Sequence, residues 1–142
     1  MPGTRATALL AACGLALAAA GLTGCGGDEP TDQEAVRSKL LELADATRAK
    51  RYDRLCDRVF DPQLIIEVEQ AGIPCEAGME RLLEDVADPR ITIGRITIDG
   101  DRASAEVRTS AAGQPPSRDV VELVRRDDGW RVSELAGSAG PG

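Results

Sequence analysis

The chain has 142 residues, 17 basic against 24 acidic side chains, a net charge of −7 and no histidine. A surface this acidic has no electrostatic footprint for nucleic acid, and the missing imidazole removes the usual general base, proton shuttle and metal ligand. One Trp, one Tyr and one Phe are too few for a stacking platform, and the length suits a single domain with a modest core.

Residues 1–24 read as a segment removed before folding. Arg5 is their only charged residue, and Ala6 to Leu22 is an uncharged run. A positive start, a short apolar centre and a small-residue cut site describe a secretory signal. Leu22-Thr23-Gly24-Cys25 resembles the lipobox of bacterial lipoproteins: aliphatic, small, small, cysteine. The resemblance implies cleavage between Gly24 and Cys25 and a diacylglycerol on the Cys25 sulfur. It places the protein on the outer face of a bacterial cytoplasmic membrane, lipid-anchored. Three readings compete with it. The run could stay as a membrane helix, although 17 residues rich in Ala lie at the short edge of a span. Ala18-Ala19-Ala20 offers an ordinary secretory cut, and Cys25 could be a structural cysteine. Under the lipobox reading 118 residues remain with a charge of −8, since Arg5 is the only charged side chain lost. Anionic lipid repels such a body. The acyl chains, at about 0.8 kcal/mol per buried methylene, must hold it.

Residues 25–30 form a short tether, and the domain spans residues 31–135. Thr31-Asp32-Gln33-Glu34 is a capping box, and the helix it opens runs to about Ala49. Val36, Leu40, Leu43 and Thr47 form its inward stripe. Tyr52, Leu55, Cys56 and Phe60 make a second apolar group around a helical turn. Asp61-Pro62 is an N-cap with proline in the first turn, Leu64, Ile65, Ile66 and Val68 fill that helix, and Gly72 stops it. Pro74-Cys75-Glu76 opens a further helix with Met79, Leu82, Leu83 and Val86 inward, ended by Asp88-Pro89.

From Arg90 the period becomes two. Ile91 and Ile93 are out of phase with Ile96 and Ile98, which predicts a bulge at Gly94-Arg95. Asp99-Gly100 signals a hairpin. Ala103, Ala105 and Val107 alternate with polar residues, so the second strand has one wet face. Gly113 to Ser117 is a loop, and Val120 to Val124 is a strand buried in part on both faces. Asp127-Asp128-Gly129 leads into a last strand, Trp130 to Leu135. A three-residue loop there puts Val124 opposite Val132, Glu122 opposite Glu134 and Arg126 opposite Trp130. Residues 136–142 are a flexible tail. The fold class is α+β: N-terminal helices packed on a four-stranded, mostly antiparallel sheet.

Cys13 falls in the removed segment and Cys25 goes to lipid, leaving Cys56 and Cys75. An even pair in an extracytoplasmic domain reads as one disulfide. Two free thiols are the alternative, whereas a redox pair lacks the C-x-x-C spacing.

The long first helix leading into Arg51-Tyr52-Asp53-Arg54-Leu55-Cys56, and the closing Asp127-Asp128-Gly129-Trp130-Arg131-Val132 hairpin, resemble the nuclear-transport-factor-2-like superfamily of cone-shaped α+β domains. The resemblance covers roughly Thr31 to Leu135. It implies either a cone enzyme, isomerase- or cyclase-like, or a non-catalytic binding or accessory domain. The enzymes of that superfamily use Asp, His or Tyr inside the cone, and no active site is carried over to this chain.

Four residues are ligand-binding candidates. Glu122 and Glu134 face each other as a carboxylate pair, the geometry that makes a general acid. Tyr52 is the lone phenol, and Trp130 is placed for a stacked contact with Arg126. Each has a plainer role in packing or in solvent. No catalytic residue, metal ligand or cofactor is assigned. The expectation is a non-catalytic lipoprotein domain that contacts an envelope protein or a small apolar ligand. The rival is a cone enzyme with a carboxylate base.

Overall fold

Helix α1 (Asp32–Arg48) begins as its sequence dictates: the Thr31 hydroxyl accepts from the Glu34 amide, and Glu34 Oε2 takes the Thr31 amide at 2.8 Å. Both bonds belong to a computed structural model that describes residues 29–135. The cleavage pair Gly24–Cys25, the lipidation site and the 136–142 tail lie outside the described residues. Val36, Leu40 and Leu43 are buried along α1 as expected, but Ala46 completes the stripe in place of half-buried Thr47. A 3.6-residue repeat continues from Leu43 to either position, and the smaller side chain is the one against the core.

Helix α2 (Tyr52–Arg54) runs straight into a π-helical turn, Leu55–Val59, closed by a 2.9 Å bond from the Phe60 amide to the Leu55 carbonyl. The wider turn lets Leu55, Val59 and Phe60 all reach the core. Helix α3 (Pro62–Glu69) starts on the Asp61 cap, and α4 (Cys75–Leu82) follows a turn with Gly72 at φ +82°. These two helices depart from the sequence reading. Leu64 and Ile65 pack on the core, but Ile66 and Val68 are exposed. Met79 and Leu83 lean inward, whereas Leu82 is 63% exposed. Helix α4 packs against α2, α3 and the π turn, so Leu82 has no sheet to reach.

The strands β1 (Arg90–Asp99), β2 (Arg102–Ser110), β3 (Ser117–Arg126) and β4 (Gly129–Leu135) form one antiparallel meander in sequence order. The phase slip in β1 is a bulge, because Gly94 and Arg95 together oppose Glu106. The extra residue returns all four isoleucines to one face, opposite Thr109, Val107, Ala105 and Ala103. On β3, Val121 and Leu123 are buried, Val120 is exposed and Val124 is half-buried, so burial is one-sided and not shared between faces.

The β3–β4 hairpin corrects the expected register. Its loop is the two residues Asp127-Asp128, since Arg126 pairs with Gly129, and Leu123, not Val124, faces Val132. A second bulge between Glu122 and Leu123 then shifts the register by one, and Glu122 faces Glu134 after all.

The disulfide joins Cys56 on the π turn to Cys75 at the start of α4, with Cα atoms 6.1 Å apart. It staples the α3–α4 hairpin to the segment that lies along β4, where Phe60 bridges Val132.

Candidate functional site

The side of the sheet that faces the helices is filled by the chain itself. Val36 and Leu40 of α1, Leu55 and Val59 of the π turn, and Leu123 and Val132 of the sheet are essentially without solvent contact. Among the described residues the one buried charged side chain is Asp61, 1% exposed. It does three structural tasks. Its Oδ1 accepts from the Gln63 amide at 3.0 Å and caps α3. Arg126 grips both oxygens, Nε to Oδ2 at 2.6 Å and Nη2 to Oδ1 at 2.9 Å. Its amide donates to the Val132 carbonyl at 2.8 Å, which fixes the helical half to β4. The Arg126 fork outweighs burial and holds the Asp61 carboxyl below its usual range. With three of its roughly four acceptor sites taken, this carboxylate is a poor proton acceptor.

Trp130 stands one strand position away from the expected contact. The shorter loop puts Arg125, not Arg126, opposite it, with the guanidinium carbon 4.6 Å from the ring centroid. The indole is 3% exposed and therefore belongs to the core, not to a surface contact. Arg125 is held over it by Asp32 at 2.5 Å and Asp101 at 3.3 Å. The Arg125 bond outweighs partial desolvation and holds the Asp32 carboxyl below its usual range, while the buried Trp130 Nε1 has no hydrogen-bond partner among the described residues. Arg131 completes the array by pairing with Asp128 and donating to the Asp57 carbonyl at 2.8 Å. Arg125, Arg126 and Arg131 each already have an acid.

Glu122 and Glu134 do meet across the strands, but on the face turned away from the helices, where Glu134 is exposed. That outer face also carries Arg102, Glu106, Arg108 and Arg118, so it is polar and offers no apolar enclosure to a carboxylate pair. Tyr52 is half-buried and packs on the core. The structure therefore scatters Tyr52, Trp130 and the glutamate pair and does not gather them in one pocket.

A solvent-open groove of about 400 Å³ beside α1 is lined by Glu42, Asp45, Arg51 and Arg54. Its Glu42 is taken by Lys39 at 2.7 Å and Arg54 at 2.9 Å. Among the described residues, no group of three or more acidic or cysteine side chains is placed to hold a metal ion, and no helix is long and apolar enough to cross a membrane.

Sequence reasoning missed Asp61 and Arg125 as organising residues. Asp61-Pro62 was legible as a cap, but its partner lies 65 positions on. Only the loop length between β3 and β4 decides which of two adjacent arginines reaches it.

Four helices packed on a four-stranded antiparallel meander make an α+β fold, and that fold is similar to the one of solved nuclear-transport-factor-2-like proteins. The chain is similar to two solved proteins of that class, both of unknown function. One is from Shewanella baltica OS155, with 18% identity, a TM-score of 0.50, and coverage of 74% of this chain and 92% of the other. The second is from Silicibacter pomeroyi DSS-3, with 18% identity, a TM-score of 0.50, and coverage of 69% and 87%. At this identity the similarity is one of fold. No protein-family model matches the chain, and no curated protein does.

Proposed function

We propose that this protein is a lipid-anchored extracytoplasmic lipoprotein whose domain is a non-catalytic accessory module, working by contact with another envelope protein. The observation that carries the non-catalytic part is the occupied interior. Leu40, Leu55, Leu123 and Val132 fill the space between helices and sheet, and the one buried carboxylate there, Asp61, is consumed by Arg126. The carboxylate-base enzyme has lost its support, because half-buried Glu122 and exposed Glu134 lie on the face turned away from the helices. A small apolar ligand loses support because the packed side chains already occupy the space it would need. The anchor reading rests on Leu22-Thr23-Gly24-Cys25 behind its apolar run, and it supplies the membrane attachment that an acidic body would not gain from charge.

The test is affinity isolation of the lipidated protein from its own membrane, with mass spectrometry of proteins and small molecules. A protein enriched in stoichiometric amount is the expected result. Recovery of the bare domain overturns the accessory reading, and a co-purified apolar metabolite revives the ligand reading.

A further inference from the structure

The α3–α4 hairpin carries an apolar surface that the domain leaves uncovered. Val68 is 39% exposed and Leu82 63% exposed. Between them lies Gly78. A methyl placed there would sit 3.8 Å from the Ile73 side chain and 4.0 Å from that of Val68, an ordinary contact. Leu82 follows Gly78 by one helical turn on the same side of α4. The four residues thus form one shallow surface with a notch at its centre. Packing within the chain does not demand that notch, since alanine would fit and would favour the helix by about 1 kcal/mol.

The charge around this surface is lopsided. Residues 62–86 contain Glu67, Glu69, Glu76, Glu80, Glu84 and Asp85 against the single base Arg81. All six acids are exposed. Among the described residues none of them forms an ion pair, whereas Asp32, Glu42, Asp61 and Asp128 elsewhere are each matched to arginine or lysine. Two such hairpins face to face would repel, which disfavours a second copy. An anionic bilayer would be repelled too. A cationic amphipathic segment answers both features at once, its apolar side chains on Val68, Ile73 and Leu82 and its Lys or Arg against the acids. The Cys56–Cys75 staple holds the hairpin in place beforehand, which reduces the ordering cost of docking.

We infer that the Val68–Ile73–Leu82 face of the α3–α4 hairpin docks a cationic amphipathic helix of a partner envelope protein. The inference rests on the accessory-module reading and names its face and the chemistry of its partner.

The experiment places a photoreactive benzoylphenylalanine at Leu82, or at exposed Val120 on the outer sheet face, in the full-length chain within living cells. Cross-linked peptides are then sequenced by tandem mass spectrometry. From Leu82 the expected product is a peptide with apolar residues at helical spacing flanked by Lys or Arg. Its yield should fall about tenfold when Glu67→Lys and Glu84→Lys reverse the rim charge. Mobility without reductant verifies that each variant keeps its disulfide. A neutral or acidic peptide, a yield indifferent to the charge reversal, a dimer of this chain, or a lipid adduct would each overturn the inference. Capture from Val120 alone overturns it and leaves the accessory reading standing. Capture from neither position overturns both.

Discussion

Removing the Asp61 carboxylate would uncap α3 and leave Arg126 without its fork. A lost cap costs about 1 kcal/mol. Charge-assisted hydrogen bonds add roughly 1.5–3 kcal/mol, at the lower end here because Arg126 is 44% exposed and keeps its water. Asp61→Ala should therefore lower unfolding stability by about 2–3 kcal/mol, read as a lower urea midpoint. Asp61→Asn keeps a side-chain oxygen for the Gln63 amide and should cost less. Equal losses in the two variants would refute the division between cap and fork. The same carboxyl gives a pH dependence. Its folded value lies below its unfolded one, because Arg126 and the Gln63 amide favour the ionised form. The stabilisation is complete above the unfolded value and fades as pH falls through the folded value, so it is lost below about pH 4. Asp32, Glu34, Glu42 and Asp128 shift in the same direction, from Arg125, Thr31, the Lys39–Arg54 pair and Arg131. Acid titration of the wild type should show a steep loss of stability in that window, and Asp61→Asn a shallower one.

At the scale of elements, legibility followed whether a signal was local. The capping box of α1 and the Asp61-Pro62 start of α3 need only neighbouring residues, and both formed as read. The Gly94-Arg95 bulge was visible because four isoleucines break phase within eight residues. Gly94→Ala tests it: an added methyl would stand 3.1 Å from the Glu106 carbonyl oxygen, a backbone atom that the β1–β2 ladder holds in place. A loss of about 1 kcal/mol in thermal or urea unfolding is expected, and an unchanged midpoint would mean the strands can part there. The β3–β4 register was legible only in its outcome. A two-residue loop and an unforeseen bulge offset each other, so Glu122 still met Glu134 while Trp130 exchanged Arg126 for Arg125. The π turn had no sequence signal, because its fifth-residue hydrogen bond depends on where Phe60 docks on β4. The exposure of Leu82 was hidden for a related reason. Periodicity shows which face of a helix is apolar and says nothing about whether anything covers it. The disulfide bears on the same region. Cys56→Ser with Cys75→Ser should lower stability by about 3 kcal/mol, the loop-closure effect for 19 positions. It should also loosen the α3–α4 hairpin first in hydrogen exchange, because that hairpin has few other ties to the sheet.

For the whole molecule, location and body are coupled through charge. The folded domain is acidic, and part of its basic charge is already matched: Arg125, Arg126 and Arg131 at one end of the sheet, and Lys39 and Arg54 near α1, all pair with acids. A net negative body is repelled by anionic lipid, so the proposed acyl chains on Cys25 are what would hold it at the membrane. A single chain binds reversibly and two hold stably. This separates two modes of attachment in one fractionation. Washing membranes with high salt or alkaline carbonate should leave the wild-type protein in the pellet, whereas detergent should release it. Cys25→Ser removes the sulfur proposed to take the diacylglycerol. The variant should keep its uncleaved leader, gaining the mass of residues 1–24, or appear in the soluble fraction where another peptidase cuts. Release of the wild-type protein by salt would show that charge holds it, contrary to the acidic surface. A Cys25→Ser chain that is cut at the same bond and still resists carbonate would remove the lipid anchor, and with it the extracytoplasmic placement.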